Sequence, residues 1–247
     1  MQAVILAAGI AKRLRPLTDT TPKCLLNIGE KNLLHRTIEN ITFNGIKDFV
    51  FVLGFRENMI IDYLNKYFTD INKIILTNPD YENNNNSYSL WMTKDYINDD
   101  MLLLDSDILF DREILTKLLD SKHENCLAVN VTNKLDSEQI KVIVDKQNKI
   151  LQIGKEINIK ESIGESIGIE RFSKNYLKDL FEILDRKIIK ENNVNEFYET
   201  SFQEIVDKND SRNSLYSIDV SDYECMEIDT IEDYNIAFNL YSNLKGN

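Results

Sequence analysis

The chain is poor in the residues that most often carry chemistry. Its 247 residues include two histidines, three cysteines, one tryptophan, three prolines and eight glycines. Cys24, Cys126 and Cys225 are isolated, odd in number and never spaced as CxxC, so no disulfide framework is read. With only His35 and His123 beside them, a zinc site is not expected. Cys24, next to Lys23, reads as a buried small hydrophobe rather than a reactive thiol. The longest apolar runs are strand-sized, so no membrane insertion is expected. Positive charge is scarce too: 29 Lys and Arg against 41 Asp and Glu leave a net charge of −12, which argues against a nucleic-acid partner or an anionic membrane surface. It does not argue against a nucleotide, because a local nest and a few cations suffice for a triphosphate. Pro/Gly-rich linkers, repeats and long low-complexity tracts are absent. Met1-Gln2-Ala3-Val4 lacks the segments of a secretory leader, and a cytoplasmic protein is expected.

Hydrophobic content of 43% is ordinary and supports a sizeable core. Strand and helix signals alternate through the first half. The run Ala3 to Leu6 reads as a buried strand, and Asn32 to Asn44 as a helix stopped by Gly45. Phe49 to Leu53, Lys73 to Leu76 and Met101 to Leu104 read as further strands, with a helix around Met59 to Tyr67. Such alternation predicts an α/β fold with a doubly wound sheet. The second half changes character. Leu127 to Val131, Gln139 to Val144, Lys149 to Ile153, Ser162 to Arg171 and Leu215 to Val220 read as short strands. Helices are expected over Tyr176 to Ile189 and Phe197 to Lys208, and a capping box at Thr230 to Asp233 opens a last one through Leu244.

The most informative stretch follows the first strand: Leu6-Ala7-Ala8-Gly9-Ile10-Ala11-Lys12-Arg13-Leu14-Arg15-Pro16-Leu17-Thr18, then Pro22-Lys23. Small residues let backbone N–H groups approach a ligand closely, and a line of such groups attracts anions. Arg13 and Lys23 add full positive charge, so the segment describes a triphosphate cradle. It is not a Walker loop, because no G-K-[ST] follows, and the third glycine of a dinucleotide fingerprint is missing. The stretch resembles the signature of the sugar-phosphate nucleotidyltransferase family, G-x-G-x-R-L-x-P-L-T…P-K, with Ala11 in place of the second glycine. The resemblance implies a Rossmann-like, doubly wound mixed sheet in a single domain, residues 1–247. About 1–125 would form the nucleotide half and about 126–247 the acceptor half. It implies catalytic roles for Arg13 and Lys23, and nucleotide binding by Leu6, Ala7, Ala8 and Gly9.

Leu102-Leu103-Leu104-Asp105-Ser106-Asp107 is an apolar strand ending in carboxylates, and ligands sit outside the carboxyl ends of strands in open α/β sheets. Carboxylates there favour a hard cation such as magnesium. By the resemblance, Asp107 and Asp229 would hold Mg²⁺ jointly, with Asp105 supporting the nucleotide. Lys155 stands where relatives place a lysine on the acceptor phosphate, although the adjoining Glu and Pro are missing. The reaction implied is attack of an acceptor phosphate oxygen on the α-phosphorus of a nucleoside triphosphate. That nucleophile is already ionised near neutral pH, so a dearth of histidine is compatible with it.

Asn83-Asn84-Asn85-Asn86-Ser87-Tyr88-Ser89-Leu90-Trp91 looks like the N-N-x-Y-S-L segment of the phosphocholine cytidylyltransferase branch of that family. Gly164-Glu165-Ser166-Ile167-Gly168 and Phe197-Tyr198-Glu199 fit the same branch. The branch implies CTP as donor, with Asn84 and Asn85 near the base. It implies phosphocholine, or a related acceptor such as 2-aminoethylphosphonate, near Tyr88, Lys155, Glu165, Tyr198 and Glu199. Physical chemistry agrees in kind, since cations are recognised by aromatic faces and carboxylates. Tyr88, Trp91, Phe197, Tyr198, Glu165, Glu196 and Glu199 supply both, and about half of them are expected to face the acceptor, because periodicity leaves each orientation undecided. A sugar or polyol 1-phosphate acceptor and a non-catalytic nucleotide-binding homologue remain alternatives. A homo-oligomer stays open.

Overall fold

The computed structural model describes residues 1–132 and 135–243. Strand β1 (Gln2–Ala7) leads into a small hairpin of β2 (Asn27–Ile28) and β3 (Lys31–Asn32). Then come α1 (Leu33–Phe43), β4 (Asp48–Leu53), α2 (Glu57–Tyr67), β5 (Asn72–Thr77) and α3 (Asn86–Met92). Next are β6 (Met101–Asp105), β7 (Ile108–Phe110), α4 (Arg112–Leu119) and β8 (Cys126–Asn130). The later half holds β9 (Lys141–Val144), β10 (Ile150–Gly154), β11 (Gly164–Phe172), α5 (Lys174–Asp185) and α6 (Glu199–Asp207). It closes with β12 (Tyr216–Asp219), β13 (Cys225–Glu227) and α7 (Ile231–Asn243).

One mixed sheet of nine strands joins the two halves, in the order β10-β9-β11-β6-β1-β4-β5, with β8 and β12 branching from β11. Strands β6, β1, β4 and β5 run parallel, and β11 enters antiparallel against β6. From β1 the chain fills β4 and β5 on one side, then returns to β6 on the other. This reversal opens a crevice at the carboxyl ends of β1 and β6, where Leu6 lies beside Asp105.

Strand alternation divides the core. Ala3, Ile5 and Ala7 face one layer with Phe49, Phe51 and α1, whereas Val4 and Leu6 face the other with Val52, Leu103 and α5. Local chemistry sets the helix starts. Side chains of Asn32, Asp111 and Ser173 accept from the exposed N–H groups of α1, α4 and α5. At α7, Asp233 N–H donates to Thr230 Oγ1 (3.2 Å) and Thr230 N–H to Asp233 Oδ2 (2.7 Å), which is the expected capping box. That helix was expected through Leu244, which lies outside the described residues.

The expected helix from Tyr176 to Ile189 differs in one respect. It is α5 followed by a wider π turn over Arg186–Lys190. The turn buries the Lys187 ammonium against Glu196 (2.7 Å), Glu204 (2.8 Å) and the Thr200 hydroxyl (2.9 Å). Cys24 is buried as expected, and burial pushes its thiol up to about 12. Among the described residues no helix is long and apolar enough to cross a membrane.

Candidate active site

Three cavities meet at the crevice, and Asp105 lines all of them. The first, about 240 Å³, lies over the loop after β1 and is lined by Leu6, Ala7, Gly9, Arg13 and Lys23. A Cβ built on Gly9 would meet nothing within 4 Å, so the backbone there is open to a ligand. Ala11, where the resembled signature has glycine, sits at φ 54°, in the left-handed region that glycine adopts without strain.

Lys23, Asp107 and Asp229 converge in this cavity. The Lys23 ammonium donates to Asp107 Oδ2 (2.8 Å) and to Asp229 Oδ1 (2.6 Å), and Arg13 pairs with the other oxygen of Asp229. Burial opposes the charge on Lys23, but the two carboxylates outweigh it and raise its pKa. Burial likewise opposes the Asp229 carboxylate, and Lys23 and Arg13 reverse that and lower its pKa. Asp107 keeps a buried Oδ1 with no partner among the described residues. Sequence reading placed the two cations on a triphosphate and the two carboxylates on a metal. The fold makes them one charge-balanced cluster.

The third cavity, about 170 Å³, is bounded by Ala8, Gly9, Asn78, Asn84, Asn85 and Ser89. The asparagine tract therefore lines the crevice, but its side chains are partly spent on the loop itself. Asn84 exchanges amide hydrogen bonds with Asn78 (2.8 and 3.1 Å) and donates to the Asp80 carbonyl (2.8 Å). Asn85 Oδ1 caps α3 through Asn86 N–H (2.8 Å). The side chains of the tract are thus ordered by the loop itself.

The second cavity is the largest, about 590 Å³, and lies across the crevice from the β1 loop. Glu165, Glu199, Lys155 and Phe197 line it, with Asp136, Glu138 and Glu227. Lys155 Nζ stands 4.4 Å from the centre of the Phe197 ring and 3.7 Å from Glu138. Glu199 is 6% exposed, and burial pushes its carboxyl up to about 7. Loss of surrounding water, then Asp107, Asp229 and Glu165, push Glu227 up to about 8, although its side chain reaches the surface.

Two acceptor expectations need correction. Tyr198 is fully buried and does not line the cavity; its hydroxyl donates to Asp105 Oδ2 (2.9 Å) and its N–H to Asn86 Oδ1 (3.0 Å). Its ring packs with Phe202 in the core, so it orients Asp105 instead of touching an acceptor. Tyr88 is half-buried on α3, packed against Trp91, and lines none of the three cavities. Trp91 binds Asp185 (2.8 Å) and Glu196 binds Lys187, so neither faces the crevice. Of the seven side chains considered for a cation, Phe197, Glu165 and Glu199 remain on the cavity wall. Phe197 reads as core by its type, yet it is 37% exposed, because it precedes the first turn of α6.

Gly168, in a break of the β11–β8 ladder, has φ +69°, and a Cβ there would stand 2.9 Å from Asp105 Oδ2. Glycine at this bulge is what lets β11 pass the carboxylate. Beneath Asp105 lies Glu170, fully buried with neither carboxyl oxygen partnered among the described residues. Burial, then the nearby Asp105 and Glu199, raises its pKa well above the carboxylate range. No pattern in the sequence marks Glu170: a charged residue in a strand defaults to the solvent face.

Residues 2–153 match the family described as Nucleotidyl transferase. The chain belongs to that family. This nucleotidyl transferase is 29% identical to the CTP:phosphoglutamine cytidylyltransferase of Campylobacter jejuni, over 96% of this chain and 98% of that one. It is 25% identical to the choline-phosphate cytidylyltransferase of Streptococcus pneumoniae, over 95% of each. Its fold matches the inositol-1-phosphate CTP transferase of T. maritima with a TM-score of 0.79 at 25% identity, over 99% of this chain and 96% of that one. The β1 loop, the carboxyl end of β6 and the asparagine tract of this nucleotidyl transferase all fall within the matched residues. Most of the second cavity's wall lies beyond them.

Proposed function

We propose that this nucleotidyl transferase moves CMP from CTP to a small phosphate or phosphonate that carries an amine. Phosphocholine and 2-aminoethylphosphonate are simple members of that class. The observation that carries the reading is the second cavity. Among the described residues Asp136, Glu138, Glu165, Glu199 and Glu227 line it against two cations, Lys155 and Arg13. Such a wall favours a cationic body on the acceptor, with Lys155 left for its phosphate and Arg13 for the triphosphate. The names of two relatives matched over nearly their whole length, a CTP:phosphoglutamine cytidylyltransferase and a choline-phosphate cytidylyltransferase, support a cytidylyl donor and a small nitrogen-bearing acceptor.

A sugar or polyol phosphate is the second reading, favoured by the name of the T. maritima neighbour. It would be met by amides and hydroxyls, of which this cavity has fewer than carboxylates. A non-catalytic descendant is disfavoured because Arg13, Lys23, Asp107 and Asp229 converge in one crevice.

Asp107 and Asp229 suit Mg²⁺. Among the described residues no group of three or more His, Cys, Asp or Glu side chains is arranged to hold a metal. Two carboxylates are nevertheless what Mg²⁺ takes from a protein when phosphates and waters complete its shell. The pair already accommodates the Lys23 ammonium, and the partnerless Asp107 Oδ1 has acceptor capacity to spare. When bound, the metal would offset the negative charge of the phosphates. The chain's own task is alignment. The backbone at Gly9 and the Arg13 and Lys23 side chains hold the triphosphate, and Lys155 orients the acceptor phosphate. An acceptor oxygen then forms a bond to the α-phosphorus while the bond to the bridging oxygen of pyrophosphate breaks. The nucleophile is an anion already, so no side chain need remove a proton, and positioning with charge stabilisation carries the catalysis.

The test is pyrophosphate release with CTP, UTP, dTTP or GTP across amine-bearing phosphates, amine-bearing phosphonates and sugar 1-phosphates. Release with CTP and an amine-bearing acceptor is expected. Turnover with glucose 1-phosphate alone would establish the second reading, and none with any pair the third.

A further inference from the structure

The acceptor cavity has carboxylates but no aromatic cage. Among the described residues Phe197 is the only aromatic side chain on its wall, and the Lys155 ammonium stands over that ring at 4.4 Å. Tyr88, Trp91 and Tyr198, which would complete a cage, are turned into the core or bound elsewhere. A quaternary ammonium is held chiefly by aromatic faces, because it has no N–H to donate. The wall offers the opposite chemistry. Glu199 (6% exposed) and Ser166 (5% exposed) line the cavity, and each keeps a buried side-chain oxygen with no partner among the described residues. Glu165 and Glu227 line the same cavity. A buried acceptor left without a donor costs about 1–3 kcal/mol, and a primary ammonium brings three donors.

Resting on the functional reading above, we infer that the acceptor is a primary amine: its ammonium is seated by Glu199, with Ser166, Glu165 and Glu227 around it, and a trimethylammonium head is rejected. The discrimination is of the kind a hydrogen-bonding site makes. Methylation removes the N–H groups from which the buried Glu199 and Ser166 oxygens would accept and leaves those oxygens unpaired, a penalty that an apolar pocket would not impose. Lys155 adds to it by holding the one aromatic face a methylated head would need.

The experiment uses the full chain with CTP and four acceptors: 2-aminoethyl phosphate and its N-methyl, N,N-dimethyl and N,N,N-trimethyl derivatives. Pyrophosphate release gives kcat/KM for each, and calorimetry gives the affinity of each in the presence of a non-hydrolysable CTP analogue. We expect kcat/KM to fall along the series by about 100-fold or more, with the largest step at the last methyl, where the final N–H disappears. In Glu199→Gln the KM for the primary amine should rise about tenfold while the KM for CTP stays within about twofold. Ser166→Ala should narrow the ratio between the first and last members. Equal or better turnover of the trimethyl compound would overturn the inference and leave the functional reading standing. If no member reacts or binds while a sugar phosphate does, the functional reading falls and the inference with it.

Discussion

Tyr198 serves the site without reaching it. Its hydroxyl fixes Asp105, and Asp105 borders all three cavities. Tyr198→Phe removes one O–H and leaves the packing intact, so kcat/KM should fall about tenfold with an unchanged circular dichroism spectrum. Because Asp105 faces donor and acceptor alike, both KM values should move; a change confined to the acceptor would restore Tyr198 as a direct contact. Asp107 is the sterner case. Asp107→Ala deletes half of the proposed metal seat and leaves Lys23 with Asp229 alone, and Mg²⁺-dependent turnover should drop about 10³-fold or more. Ordinary turnover in that variant would remove Asp107 from the metal site. Residue types were readable at this scale, whereas orientation was not. Phe197 and Tyr198 are adjacent, yet one faces the cavity and the other the core, and neither type nor periodicity separates them at the start of a helix.

The elements were legible because their signals are local. The apolar run of β1, the 3.6-residue spacing of α1 and α5, and the Thr230–Asp233 box each lie within a few residues of the structure they specify. The π turn after α5 was not legible, since what stabilises it is Glu196 and Glu204 meeting Lys187. Two backbone positions make element-scale predictions of opposite sign. Ala11 holds a left-handed conformation that costs a non-glycine residue about 1–2 kcal/mol, part of which glycine gives back in unfolded-chain entropy. Ala11→Gly should therefore raise the melting temperature by about 1–3 °C. Gly168→Ala meets both a left-handed φ and the Asp105 carboxylate, and should lower stability by about 1–2 kcal/mol or more. Differential scanning calorimetry of the two variants checks both.

Across the whole molecule, burial of like charges makes stability depend on pH. Asp105 and Glu199 at the crevice wall and Glu170 behind them lie together, each with its pKa raised, first by burial and then, for Asp105 and Glu170, by neighbouring carboxylates. A carboxyl with a raised folded pKa binds its proton more tightly in the native state. Its contribution is complete below the unfolded value and is lost as pH rises through the folded one. For Glu199 that window runs from about 4.5 to about 7, worth up to about 3 kcal/mol. The melting temperature should fall from pH 5 to pH 7.5, and Glu199→Gln should flatten the decline. Asp229, whose pKa is lowered, acts in the opposite direction and below this window.

By itself the sequence determined the longer strands and most of the helices, the small-residue loop after β1 and the chemical type of the residues around it, because each is written in contiguous residues. The short β2, β3, β7 and β13 and helix α4 were not legible. Only the tertiary structure decided that Lys23 ties Asp107 to Asp229 across 84 and 206 positions of chain. Only it turned Tyr198 inward under Asp105 and stripped the acceptor cavity of an aromatic cage. Those outcomes depend on how β6, β11 and α6 pack, and a side chain's partner across a sheet leaves no trace in its own neighbourhood.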